Sequence, residues 1–171
     1  MDRRIITVVV SVLVVVLAVF VYLNWNNSQD KILKYKDAQV EFQQAGVTRK
    51  IMTLAEIMAL GEEEIEAVLD TSKSEPATYH YTGILLKKAL ASAGVEFSQS
   101  KDVIASAVDG YVSVIPISKV LEDDNVYLVY KWEGKPLGTR EENGKGPFMI
   151  IIRKDQFSQS WCKYLTEVNC E

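Results

Sequence analysis

Residues 102–116, DVIASAVDGYVSVIP, set an Asp-Gly pair between two β-prone runs. DVIASAV and YVSVIP read as paired strands, because Asp109-Gly110 tolerates the positive φ that a two-residue type I′ turn demands. Pro116 then opens a short helix, PISKVLED, since its missing amide costs nothing in a first helical turn. Asp109 is explained as turn chemistry and is given no catalytic role. One tight hairpin leading into a short helix sets the pattern for the chain.

On the N-terminal side, QVEFQQ and VTRKIM flank Ala45-Gly46 as a second hairpin. Thr53 and Glu56 have the spacing of a capping box, predicting a helix that runs to about Leu60 and stops at Gly61. EEEIEAVLDTS and PATYHYT alternate as strands around a polar turn, SKSEP. Thr82 is placed to cap a helix whose apolar positions are Ile84, Leu85, Leu86, Ala89, Leu90 and Ala93, with Gly94 as its stop. On the C-terminal side, NVYLVYKW reads as a strand and EGKPLGTREENGKG as a long glycine-rich loop. PFMIII reads as a central buried strand, and SWCKYLTEV as a last β-prone run. Strand pairs interrupted by short helices predict an α+β class with mixed sheets rather than a regular βαβ alternation.

The first 23 residues differ in kind. Residues 5–23, IITVVVSVLVVVLAVFVYL, carry no charge. As a helix they would extend about 28 Å, close to the roughly 30 Å hydrocarbon core of a bilayer. The run ends in bulky residues and lacks a small-x-small cleavage site, and Tyr22 and Trp25 suit a membrane interface. The expected organisation is a tail (1–4), a transmembrane signal anchor (5–23), a juxtamembrane spacer (24–37) and an α+β domain (38–171). Arg3 and Arg4 favour a cytoplasmic N-terminus, against which Lys31, Lys34 and Lys36 count. The short tail and its likeness to a secretion signal place the domain outside the cytoplasm, at the cell membrane.

Setting aside residues 1–23, with two arginines and one aspartate, leaves 17 basic and 22 acidic side chains, a net charge of −5. No nucleic-acid partner is expected from that balance. Cys162 and Cys170, the only cysteines, lie in the last ten residues. Outside the cytoplasm they could form a disulfide, but only if the tail turns back, since a straight strand holds them too far apart. Two unpaired thiols, with Cys162 in a strand, is the equal alternative.

His80 is the only histidine, and its strand precedes the capped helix. A strand end before free helical amides suits an anion contact; a partly exposed strand histidine is the plainer reading. The run Glu62–Glu66 lacks the order of a calcium loop. No nucleophile elbow occurs, and no protein zinc site is expected around a lone histidine. The loop Gly134–Gly146 carries Lys135, Arg140 and Lys145 among glycines and could close over an anionic ligand, although it matches neither the P-loop nor the dinucleotide fingerprint.

Three segments in order carry a family resemblance: Tyr81–Val95 (YTGILLKKALASAGV), Ala107–Tyr111 (AVDGY) and Gly146–Ile152 (GPFMIII). Together with Val126–Leu137 (VYLVYKWEGKPL), they resemble the oxidoreductase molybdopterin-binding domain family, the sulfite oxidase type, across roughly residues 38–168. That family shows a "y-G-v-x-L" helix, "A-x-D-G-Y", "n-G-e-P-L", "G-G-P-L-R" and a closing strand with "K-W". The resemblance implies a mixed-sheet sulfite oxidase molybdopterin-domain-like fold. In active members a cysteine upstream of the helix binds molybdenum, yet Glu62–Tyr81 holds none. Met149 stands where the arginine that favours the pterin phosphate belongs, and Ser160-Trp161-Cys162-Lys163 is the nearest counterpart of "K-W". The resemblance thus makes molybdopterin the one cofactor to consider and predicts that its metal anchor is missing.

The expected ligand-cleft residues are His80, Tyr81, Thr82, Tyr111, Arg140 and Lys145, with no catalytic residue assigned. The expected function is a membrane-anchored, extracytoplasmic, non-catalytic module that binds a ligand or a protein beside a membrane redox system. Two alternatives stand next to it: a molybdopterin oxidoreductase with atypical ligation, and a thiol-redox accessory using Cys162 and Cys170.

Overall fold

A computed structural model describes residues 10–22, 35–72 and 74–171. The chain divides into an N-terminal unit, residues 1–34, and a domain, Tyr35–Glu171. In the first unit, residues 10–22 form helix α1 with every side chain exposed. Among the described residues no helix is long and apolar enough to cross a membrane. Residues 5–9 and 23 of the expected span lie outside the described residues, as does most of the spacer.

The domain is built on two five-stranded sheets. The first holds β1 (Gln39–Gln44), β2 (Val47–Thr53), β5 (Asp102–Ala107), β6 (Val112–Pro116) and β10 (Leu165–Cys170), in the order β2-β1-β10-β5-β6. The second holds β3 (Glu63–Thr71), β4 (Ser74–Leu85), β7 (Val126–Trp132), β8 (Lys135–Pro136) and β9 (Met149–Ile152), in the order β3-β4-β7-β8 with β9 also on β7. The pairing of β1 with β10 is parallel and the other ladders are antiparallel. This is the mixed-sheet α+β class. β10, last in sequence, occupies the middle of its sheet.

Period-two patterning sorts side chains between core and solvent. In β5 Val103, Ala105 and Ala107 are buried, and in β6 Ser113 and Ile115, while Val112 and Val114 face out. All four residues of β9 are buried, as its continuous apolar run requires. β9 is not flanked by two full strands, however. It pairs with β7 on one side and meets only a bridge, Ile150 to Cys162, on the other.

The capping box is present. Glu56 N–H donates to Thr53 Oγ1 (3.3 Å) and Thr53 N–H to Glu56 Oε2 (2.8 Å), starting α2 (Leu54–Met58). Two local expectations change. Thr82 does not cap a helix, because β4 continues to Leu85 and α3 spans only Leu86–Ser92. Residues 83–85 pair with Val129, Leu128 and Tyr127 of β7, and that ladder displaces the first helical turn. Gly83 permits it: a Cβ there would lie 2.3 Å from the Leu128 carbonyl oxygen and 2.6 Å from Val129 Cα. The β5–β6 connection is also longer than a two-residue turn, spanning residues 108–111, and only Gly110 has positive φ (+85°). As expected, Pro116 precedes a short helix, α4 (Ile117–Leu121).

Candidate functional site

The connection 108–111 is held by its own polar groups. Ala107 N–H donates to Tyr111 O (2.9 Å), Gly110 N–H to Ala107 O (3.0 Å), and Tyr111 N–H to Asp109 Oδ1 (3.1 Å). The Asp109 carboxylate is therefore engaged in shaping the loop, the side-chain-to-backbone bond that makes aspartate a turn residue. Three hydroxyls then sew the 3₁₀ turn Ser158–Ser160 against the strands. Tyr111 OH donates to Gln159 O (2.7 Å), Ser113 Oγ to Ser160 O (2.7 Å), and Ser158 Oγ to Asp70 O at the end of β3 (2.5 Å).

These bonds leave a pocket of about 240 Å³ lined by Asp109, Tyr111, Gln159, Trp161, Lys163 and Tyr164, with Ser158 at its edge. Behind it, Trp161 meets Tyr81 edge-on, ring centres 5.9 Å apart. Tyr81 neighbours Trp132 across the β4–β7 ladder, and Trp132 packs edge-on to Tyr79 at 5.3 Å. Lys145 Nζ sits 3.7 Å from the centre of the Trp132 ring and 5.7 Å from that of Tyr79, where the ring faces attract an ammonium.

Two features give this cluster chemical character. Lys145 and Lys163 make no salt bridge among the described residues, and the Lys145 amine is held below the usual lysine range by burial and by Lys163. Tyr81 OH and Trp132 Nε1 are buried without a hydrogen-bond partner among the described residues. An unmet buried donor costs about 1–3 kcal/mol. Two lysines without salt bridges beside unmet donors, with Asp109, the carboxylate that lines the pocket, bonded to Tyr111 N–H, form an arrangement suited to an acceptor-rich, negatively charged group. Burial, with a smaller contribution from Cys162, pushes the Tyr111 phenol up despite its contact with Ser113, so it remains a hydrogen-bond donor at neutral pH.

Of the expected cleft residues, Tyr111 lines this pocket, Tyr81 lies behind it and Lys145 borders the same cluster. His80 and Thr82 are elsewhere. Strand alternation turns them to the opposite face of β4, where His80 Nδ1 lies 3.5 Å from Glu64 and Nε2 3.9 Å from Glu66. His80 lines a separate acidic pocket of about 510 Å³ with Glu63, Asp124 and Arg153. It stands mid-strand rather than at a strand end, and the chain continues as strand to Leu85 instead of entering a helix after it. Arg140 is exposed in the loop following β8 and lines none of these pockets. Trp132, Trp161, Lys163 and Tyr164 were not singled out as cleft residues, although Trp161 and Lys163 belong to the stretch matched to "K-W".

Of the two alternatives for the cysteines, the structure has the unpaired one. Cys162 and Cys170 are both free and buried, Cys162 preceding β10 and Cys170 ending it. Cys162 Sγ approaches Ala105 O at 3.6 Å. Burial pushes the Cys162 thiol up to about 12, helped by Asp109, and the Cys170 thiol up to about 11. Among the described residues no group of three or more His, Cys, Asp or Glu side chains could hold a metal ion.

The model of the oxidoreductase molybdopterin binding domain matches residues 28–171. Among solved structures, the sulfane dehydrogenase SoxCD from Paracoccus pantotrophus shares the fold, with a TM-score of 0.63 and 18% identity. The match covers 80% of this chain and only 38% of that one. No curated protein matches the sequence. The landmarks 107–111 and 160–163, far apart in sequence, meet at one pocket on this shared fold. The chain belongs to the oxidoreductase molybdopterin binding domain family, and its domain has the sulfite-oxidase-like mixed α+β architecture.

Proposed function

We propose that this chain is a membrane-anchored module whose domain lies outside the cytoplasm and binds an anionic ligand without molybdenum catalysis, alongside a membrane redox system. The observation that carries the reading is the donor set of the pocket. Lys163 and the neighbouring Lys145 supply two cations that form no salt bridge among the described residues, and no thiolate accompanies them.

Molybdenum held through molybdopterin requires a soft anionic ligand. The two thiols of this chain are enclosed in the core and hold their protons to far above neutral pH. The residues present therefore do not fit a thiolate-ligated molybdenum centre. Anchoring rests on the uncharged run 5–23, which has the length and interfacial aromatics of a single span. The same enclosed thiols count against a thiol-redox role, since reactive cysteines are exposed and have lowered pKa values.

Metal and pterin analysis of the full chain, produced in a molybdenum-replete host, tests the reading. The expected result is molybdenum far below one atom per chain, with inorganic phosphate or sulfate raising the melting temperature. Near-stoichiometric molybdenum with pterin would establish the oxidoreductase alternative instead. Two thiols that react only on unfolding dispose of the redox alternative.

A further inference from the structure

Three aromatic residues line the pocket, Tyr111, Trp161 and Tyr164, and the polar end of each is engaged by the backbone. Tyr111 OH donates to Gln159 O (2.7 Å), Tyr164 OH to Gly144 O (2.9 Å) and Trp161 Nε1 to Ile152 O (3.2 Å). An aromatic side chain whose donor is already satisfied by the protein has only its ring left to offer a ligand. Trp161 is 5% exposed and is backed edge-on by Tyr81, so its ring forms a fixed wall.

The polar groups of the lining are unevenly free. Ser158 Oγ is bonded to Asp70 O, and Asp109 accepts from Tyr111 N–H. The Lys163 amine and the Gln159 side-chain amide line the same pocket and have no hydrogen-bond or ion-pair partner among the described residues. Lys145 stands close enough to Lys163 for their charges to interact, so two lysines face one engaged carboxylate here. Apolar walls and a free cation call for a ligand that is apolar over most of its surface and negative at one end.

Size narrows the class. An apolar cavity of about 150 Å³ holds benzene, whereas drug-sized ligands occupy about 300–1,000 Å³. The pocket, at about 240 Å³, lies between these and matches one six-membered ring with a short substituent. An inorganic oxyanion would give up water to face rings that offer it no hydrogen bonds, a loss that a carboxylate attached to a ring avoids on its apolar side.

We propose that the ligand of this pocket is a monocyclic aromatic carboxylate, its ring held among Tyr111, Trp161 and Tyr164 and its carboxylate paired with the Lys163 amine, with the Gln159 amide as a second donor. This rests on the anion-binding reading above and narrows it from anions in general to aromatic acids. Ring burial supplies the affinity, and the lysine selects the charged end.

The test is calorimetric titration of the full chain at neutral pH with benzoate, acetate, benzyl alcohol and inorganic phosphate. Benzoate is expected to bind at least about tenfold more tightly than acetate, which keeps the charge and lacks the ring, and than phosphate. Lys163→Gln is expected to weaken benzoate about tenfold and to leave benzyl alcohol within about twofold, whereas Lys163→Arg retains benzoate binding. Phosphate binding as tightly as benzoate overturns this inference and leaves the anion-binding reading standing. Benzoate binding that Lys163→Gln does not weaken also overturns it, because the acid then sits elsewhere. A chain that binds neither benzoate nor phosphate overturns both.

Discussion

His80 and Tyr81 are adjacent in sequence and opposite in fate. Tyr81 points into the core, 1% exposed, its ring against Trp161 and its hydroxyl behind the pocket without a partner among the described residues. His80 points to solvent between Glu64 and Glu66, with its backbone N–H donating to Glu133 (2.8 Å). A strand's two-residue period divides neighbours more sharply than any difference in residue chemistry. Three consecutive candidates, His80, Tyr81 and Thr82, therefore cannot form one cleft. The residue with the most recognisable chemistry lies on the face that carries the least structural weight.

The strongest test of that contrast is Gly83→Ala, which places a methyl against the backbone of Leu128 and Val129. Main-chain atoms cannot step aside as a side chain can, so a loss of about 3 kcal/mol or more is expected in chemical denaturation. Tyr81→Ala follows, at about 3–5 kcal/mol for an emptied aromatic site. Tyr81→Phe should be neutral or stabilising, because it removes only an unpaired buried hydroxyl. A clear loss with Phe would reveal a partner for that oxygen.

Smaller still is the effect of Glu62, which accepts from Tyr130 OH (2.9 Å) and Lys131 Nζ (3.0 Å). Burial raises its pKa, yet the bonds from Lys131 and Tyr130 prevail and hold it below the usual carboxylate range. A carboxylate with a depressed folded pKa stabilises above its unfolded pKa and loses that contribution as pH falls through the folded value. Glu62→Gln should thus flatten the acid limb of a stability–pH profile. The change should be no more than about 1 kcal/mol, since this side chain is 45% exposed and screened. At the bottom of the series, His80→Ala should stay within about 0.5 kcal/mol at neutral pH. A larger loss would mean that the outward face of β4 does work the geometry does not reveal.

The local elements were largely legible. The β1–β2 hairpin, the Thr53–Glu56 capping box and the buried run of β9 each depend on neighbours a few residues away. The start of α3 was not, because Ile84 and Leu85 suit a helix and a strand equally, and the decision belongs to β7 more than forty residues later. The pocket was only half legible for the same reason. Tyr111 carried a motif, whereas Lys163 and Trp132 acquire meaning only when the sheets bring residues 111, 132 and 163 together.

The central place of β10 bears on how the domain forms during synthesis. β1 and β5, each paired with its own hairpin partner, have no contact ladder with one another; both wait for Leu165–Cys170 to fill the gap between them. A nascent chain that has not yet released those residues carries two exposed hairpin edges, the condition in which strands most readily pair with the wrong neighbour. Ribosome-bound intermediates stalled before residue 165 should therefore remain protease-sensitive, and closure should come late and in one step.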